Sequence, residues 1–287
     1  MIKIMADSTC DLSREILEKY DISTAPLKIN IDGNSYKDKV ELDPDTFYSM
    51  LEDLKEFPTT GAPSPAEYLA IMEDAVASGH THILCICMSS GTSGSYQSAE
   101  LAKDYFYEAN PTSPVHIHVI DSKCMSHGSG WLLIKSALLR ERGATFEEIV
   151  GFNEQYKANV KHFLSVDDLN HLIKSGRISN ASAMIGKFLM LKPVMTMKDG
   201  KGAVVAKERG RKRVLKHYVE EFKKRNDAEQ TEFVIIGYTS DPAIAETLKV
   251  KMQEETGFAG EIHIMQMGVA VGTHVGPGGI SMFFVEK

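Results

Sequence analysis

Three times in its first half the sequence runs a short apolar strand into a cluster of small hydroxyl-bearing residues and then into a helical pattern. Residues 2–6 lead into Asp7-Ser8-Thr9, residues 82–88 into Ser89-Ser90-Gly91-Thr92-Ser93, and residues 115–120 into Asp121-Ser122. Alternation of this kind specifies a parallel sheet covered by helices. In such sheets ligands sit beyond the carboxyl ends of the strands, where these three loops converge.

Between the strands, helices are expected from about Leu12 to Tyr20, from Pro44 onward, up to about Ser78, from Ser95 to Ala109 and from Thr145 to about Ala158. Asp43-Pro44 is a helix start, with Asp43 as cap and Pro44 in the first turn. Asp32-Gly33 marks a hairpin. The second half has a different order. A strand over 160–166 precedes a short helix starting at Asp167 and stopping at Gly176, and a second helix follows over "ASAMIGKFLML". Next come a hairpin turning at Asp199-Gly200, a helix over 211–225, a strand, a helix from Pro242, and two strands flanking the glycine-rich "GTHVGPGG", read as a ligand-facing loop. The expected fold class is α/β with two domains: an N-terminal parallel-sheet α/β domain over 1–156 and a C-terminal α+β domain over 157–287.

Charge supports the division. Residues 1–156 hold 12 Lys/Arg against 24 Asp/Glu, and residues 157–287 hold 20 against 15, so the halves carry −12 and +5 within a chain of net charge −7. At 43% hydrophobic and 25% charged the composition is that of an ordinary globular protein. No apolar run is long enough to cross a membrane, and the start of the chain reads as a strand rather than a signal peptide, which implies a cytoplasmic protein. Cys10, Cys85, Cys87 and Cys124 form no C-x-x-C pair and read as buried thiols. The basic run Arg209–Arg213 is a solvated face or a dock for an acidic partner. An acidic chain with no aromatics interleaved in that run argues against nucleic acid.

The segment "MSSGTSGSYQSAE" places Ser93 to Tyr96 at a helix N-terminus. Free N–H groups and the helix dipole favour an anion there, and glycines let the backbone come close. There is no Walker P-loop and no G-x-S-x-G elbow. A serine hydrolase acting on a small acyl substrate, with Ser93 as nucleophile and His274 as base, stays open as the rival reading, although no acid to orient His274 can be named. A regulatory domain binding another amphiphile is a third.

Read in order, Asp7-Ser8-Thr9-Cys10-Asp11-Leu12, Thr60-Gly61-Ala62-Pro63-Ser64-Pro65, the 89–97 loop, Asp121-Ser122, Asp168-Leu169 through Ser175-Gly176-Arg177-Ile178, Lys192-Pro193 and His274-Val275-Gly276-Pro277-Gly278 resemble the DegV family. That family includes the fatty-acid-binding subunits of bacterial fatty acid kinases. The resemblance spans nearly the whole chain. It implies two α/β domains with the ligand at their junction, a long-chain fatty acid as that ligand and no other cofactor, and a lipid-binding carrier rather than an enzyme; the residues themselves offer no metal-ligand cluster. It further implies a partner kinase that phosphorylates the acyl carboxylate for bacterial phospholipid metabolism. Carried over by motif, Thr60 and Ser93, with Gly94, are expected at the carboxylate. His274 is expected there too, with Arg177, Ser90 and Thr92 near the head-group or on a partner surface. The chain departs from the family pattern at Gly61-Ala62, where Ser-Gln is common, and at Ser175, where Gly-Gly-Arg-Ile is usual.

Chemistry agrees with that implication. A carboxylate is held well by hydroxyls and amides. At roughly 0.8 kcal/mol per buried methylene, a long tail contributes on the order of 10 kcal/mol gross. Met184, Ile185, Phe188, Leu189, Met190, Leu191, Val194, Met195 and Met197 are apolar enough to line a tunnel, though each read singly is a core residue.

Overall fold

The structure is a computed structural model that describes residues 1–179 and 191–287. The helix expected over "ASAMIGKFLML", and with it the tunnel candidates Met184 to Met190, lies outside the described residues. In the first half β1 (Ile2–Asp7) is central. It pairs in parallel with β2 (Ile22–Ala25) and β6 (His82–Cys87), and β7 (His116–Asp121) adds to β6. These strands are apolar on both faces because both are covered. Met5, Ile83 and Cys85 face α3 (Pro65–Ala77) and α4 (Ser95–Ala109), while Ile4, Leu84 and Ile86 face α5 (His127–Glu141). All four cysteines are buried and unbridged. The sheet order β2-β1-β6-β7 is the doubly wound arrangement expected from the strand–helix alternation.

Helix starts follow their sequence signals. Asp43 accepts a 2.9 Å hydrogen bond from the Thr46 amide ahead of α2 (Pro44–Met50). Thr145 and Glu148 form a capping box at α6 (Phe146–Tyr156), and Ser13 caps α1 (Arg14–Lys19). A small antiparallel sheet comprises β3 (Lys28–Ile31), β4 (Asn34–Lys37) and β5 (Thr59–Gly61). Its β3–β4 hairpin turns at Asp32-Gly33, where φ is +47° and +83°.

The second half forms one mixed sheet in the order β13-β12-β14-β8-β10-β11-β9. Its strands are β8 (Val160–Ser165), β9 (Ile178–Ser179), β10 (Leu191–Lys198), β11 (Lys201–Arg209), β12 (Phe233–Tyr238), β13 (Glu261–Gln266) and β14 (Ile280–Val285). Helices α8 (Arg211–Arg225) and α9 (Pro242–Thr256) cover one face. The short helices α7 (Asn170–Ser175) and α10 (Val269–Val275) lie at the cavity end.

The break at residue 156 falls between α6 and β8, yet the two sheets are not independent. Every residue of α5 from His127 to Ala137 is buried, because the helix lies between them. Trp131 donates 3.1 Å to the Phe233 carbonyl and stacks on the Phe233 ring. One core therefore runs from Ile4 through Trp131 to Phe283.

Two local expectations need correction. Helix α7 starts at Asn170, not Asp167. Asp167 instead makes ion pairs with Lys192 (2.9 Å) and Arg211, which hold its carboxyl below the usual range despite partial burial. His274 is not in a loop but in the last turn of α10, which ends at Gly276, where φ is +75°.

Candidate functional site

The loop after β6 is fixed from both sides by carboxylates at neighbouring strand ends. Asp7 is buried and accepts from the Met88 amide (2.9 Å), the Thr9 amide (3.1 Å) and the Thr9 hydroxyl. Burial raises its carboxyl above the ordinary value against those bonds. Asp121 accepts from the amide (3.1 Å) and hydroxyl of Ser90 and from the amide and Nζ of Lys123. Burial pushes Asp121 up, but the Lys123 and Ser90 bonds outweigh it and hold it low. From the other half, the β10–β11 turn closes on the loop: the Gly200 carbonyl accepts 2.6 Å from the Ser89 hydroxyl. A Cβ on Gly91 would lie 2.5 Å from that same oxygen, so the close approach requires glycine there.

Ser93 and Gly94 form the lip of α4. Gly94 is the N-cap, and the Ser93 Oγ accepts 3.2 Å from the Ser95 amide and lies 3.0 Å from the Ser95 hydroxyl. Across from them, Thr60 on β5 meets His274: Oγ1 to Nε2 is 2.7 Å. The His274 Nδ1 is buried without a partner among the described residues. Burial, with Arg177 and His171 alongside, pushes the ring down to about 4, so it is neutral at physiological pH.

These groups border a cleft with about 520 Å³ of empty space, open solvent included, lined by Thr60, Thr92, Ser93, Gly94, Arg177 and His274, among others. A second cavity of about 530 Å³ continues into the other half, with an almost wholly apolar wall from residues such as Leu164, Leu172, Ile178, Met195, Met197 and Phe283. Met125, Arg177 and Val271 border both, so the polar and the apolar cavity adjoin. Each cavity draws on both halves of the chain.

The structure thus brings together Thr60, Thr92, Ser93, Gly94, Arg177 and His274, six of the seven residues singled out from sequence. The Thr92 hydroxyl donates to the Ser89 carbonyl (3.0 Å), and Arg177 Nη1 donates to the Ser175 carbonyl (2.5 Å). Ser90 is turned away onto Asp121 and does not line the cavity. Of the tunnel candidates, Met195 and Met197 line the apolar cavity, Val194 packs in the core under α8, and Leu191 is not in the wall. Met125 and Val271 went unread because only the tertiary fold brings them to the junction. The hydrolase geometry is not formed: His274 bonds Thr60, not Ser93, and no carboxylate contacts its ring among the described residues. Among these residues no His, Cys, Asp or Glu cluster of metal-binding size occurs, and no helix is long and apolar enough to cross a membrane.

Together these features define a two-domain α/β protein built around a cavity that is polar at the strand tips and apolar beyond. The chain belongs to the DegV family: the family model, described as an uncharacterised protein of the DegV family, matches residues 1–287. A DegV domain-containing protein of Caldanaerobacter subterraneus subsp. tengcongensis is 33% identical, covering 100% of this chain and 99% of the relative. A solved structure described as a stearic-acid-binding protein from Eubacterium ventriosum superposes with a TM-score of 0.90 at 30% identity, covering 100% of this chain and 99% of that one. A DegV family protein of Thermus thermophilus, described by its fatty acid binding, superposes with a TM-score of 0.89 at 27% identity over the same shares.

Proposed function

We propose that this protein is a cytoplasmic carrier, not itself an enzyme, that binds a long-chain fatty acid and presents its carboxylate to a partner kinase for acyl-phosphate formation. The observation that carries the reading is that a hydroxyl-lined cavity adjoins an apolar one across Met125, Arg177 and Val271. The solved relatives described as binding fatty acids support it. In this reading the loops of residues 1–156 supply Thr60, Ser93 and Gly94, and residues 157–287 enclose most of the tail.

A neutral His274 leaves the head without a full imidazolium counter-charge. If its Nε2–H donates to Thr60, the Thr60 hydroxyl is free to donate to the ligand. Ser93, which accepts from the Ser95 amide, has its own proton available in the same way.

The test is native mass spectrometry of the purified protein, followed by titration of the delipidated protein with oleic acid. The wild type retains a long-chain acid. Thr60→Ala with Ser93→Ala weakens binding roughly ten- to hundred-fold, as expected for lost hydrogen bonds to a charged group. Unchanged binding, together with unchanged phosphorylation by the cognate kinase, overturns the head-group assignment. An empty wild-type protein that cleaves an ester probe supports the hydrolase instead.

A further inference from the structure

The apolar cavity has a second neighbour besides the head cavity. An outer cleft of about 970 Å³ shares Thr196 and Met197 with it, and is otherwise bounded by Val160, Lys161, Asp199 and the lysines 123 and 157. The two spaces adjoin because β8 and β10 barely pair: their one paired position is Met195 with Leu164. A bulge between Val194 and Met195 shifts the register of β10 against β11 at the same place. Beyond it the ladder has a gap: no further position of the two strands pairs, and Thr196 and Met197 line the outer cleft together with Val160 and Lys161. A sheet interior normally closes such a gap with ladder hydrogen bonds.

We propose that this gap is a second mouth of the acyl cavity, with Met197 as its gate, and that through it the methyl end of a long chain leaves the cavity. The residue types fit. Methionine is unbranched and adaptable, so it can fill the gap over a short chain and swing aside for a long one. Met197 is half-buried, between a buried Thr196 and an exposed Lys198. The Thr196 hydroxyl is buried with no partner among the described residues, so this side chain adds no hydrogen bond to the wall. The occupant is an uncharged alkyl end rather than an anion, because the cleft's lysines are already paired: Lys123 with Asp121, Lys157 with Glu154, Lys161 with Glu286. Their aliphatic stems offer apolar cover to an emerging chain. Met197 is then a determinant of chain-length selection, independent of the head-group contacts.

This rests on the fatty-acid reading, and one experiment separates the two. Delipidated wild type, Met197→Trp, Met197→Ala and the volume-conserving Met197→Leu are each offered an equimolar mixture of saturated free acids from myristic to behenic, and the bound acids are read by native mass spectrometry. Met197→Trp blocks the mouth and lowers the behenic-to-myristic ratio at least about ten-fold. Met197→Ala raises that ratio, and Met197→Leu leaves the wild-type profile. Wild-type uptake with the same profile in the Trp and Ala variants, or a parallel fall for every length, overturns the gate alone. Should Met197→Trp not fold, the Ala variant decides by the same criterion. A wild type that takes up none of the acids overturns the fatty-acid reading, and the gate with it.

Discussion

Val271→Trp abolishes fatty acid uptake while leaving the protein folded. Val271 is 5% exposed on α10 and borders both the head and the tail cavity, so its side chain stands where a bound chain passes from one to the other. An indole there fills empty space first, which limits the one to three or so kcal/mol that overpacking costs in a dense core. The ligand loses far more. At about 0.8 kcal/mol per methylene, excluding even four or five of them removes on the order of 3–4 kcal/mol, a several-hundred-fold loss. Isothermal titration with oleic acid checks the binding, and a melting curve within a few degrees of wild type checks the fold. Val271→Ala, which narrows nothing, keeps binding within roughly ten-fold. Wild-type affinity in the Trp variant means that the chain does not run past α10, and the junction is then misassigned.

How much of this was legible in the sequence depended on distance along the chain. The α4 entry could be read because its signal is local: an apolar strand, serines and glycines, then a helical pattern starting at Ser95. The same holds for Asp32-Gly33, Asp43-Pro44 and Asp199-Gly200, which turn or cap where expected. Thr60 and His274 are 214 positions apart, and no pattern within either segment announces their contact. Only family resemblance had linked them to one site. Helix α10 was misread as a loop for a physical reason. Gly272 and the β-branched Val269, Val271, Thr273 and Val275 give it poor intrinsic propensity, and what holds it is tertiary. The Asp11 carboxylate accepts 2.8 Å from the Gly268 amide, Asp38 accepts 3.4 Å from the Ala270 amide, and Tyr48 donates 3.1 Å to the Met267 carbonyl. All three come from the other half of the chain. Gly272 is required there as well, since a Cβ would lie 2.2 Å from the Tyr48 hydroxyl. Asp167 was misread in the opposite sense. Its sequence neighbourhood suggested a cap, but Lys192 and Arg211 outbid the helix for it.

The same buried clamp gives the second large effect. Asp11→Asn is more stable than wild type at pH 8, and by pH 5 more than half of that advantage is gone. Asp11 is 1% exposed. Its Oδ1 accepts from Gly268, its Oδ2 accepts 2.6 Å from the Ser126 hydroxyl, and the Lys39 ammonium is 3.8 Å away. Burial raises the carboxyl from 3.8 to about 7, with Lys39 and the Ser126 bond pulling the other way. The folded carboxyl therefore holds its proton more tightly than the unfolded one. Its contribution to stability is complete below 3.8 and is lost as pH rises through about 7. Asparagine copies the protonated form: its oxygen accepts from Gly268 and its NH₂ donates to Ser126, with no charge to desolvate. Three units at 1.36 kcal/mol each give roughly 4 kcal/mol between the limits below 3.8 and above 7, of which the two units above pH 5 hold about 2.7 kcal/mol. In a chain of this size that is about 5–10 °C in melting temperature between pH 5 and pH 8. Comparing variant with wild type isolates the group. His127, His162 and His274, pushed down to about 3, 3 and 4 by burial, lose stability for both proteins alike as pH falls below 6.5. Thermal melts of both proteins at pH 5 and pH 8 decide it. A gap that does not widen with pH means that Asp11 is ionised at both, its charge carried by Lys39, and the clamp on α10 is then an ion pair rather than a shared proton.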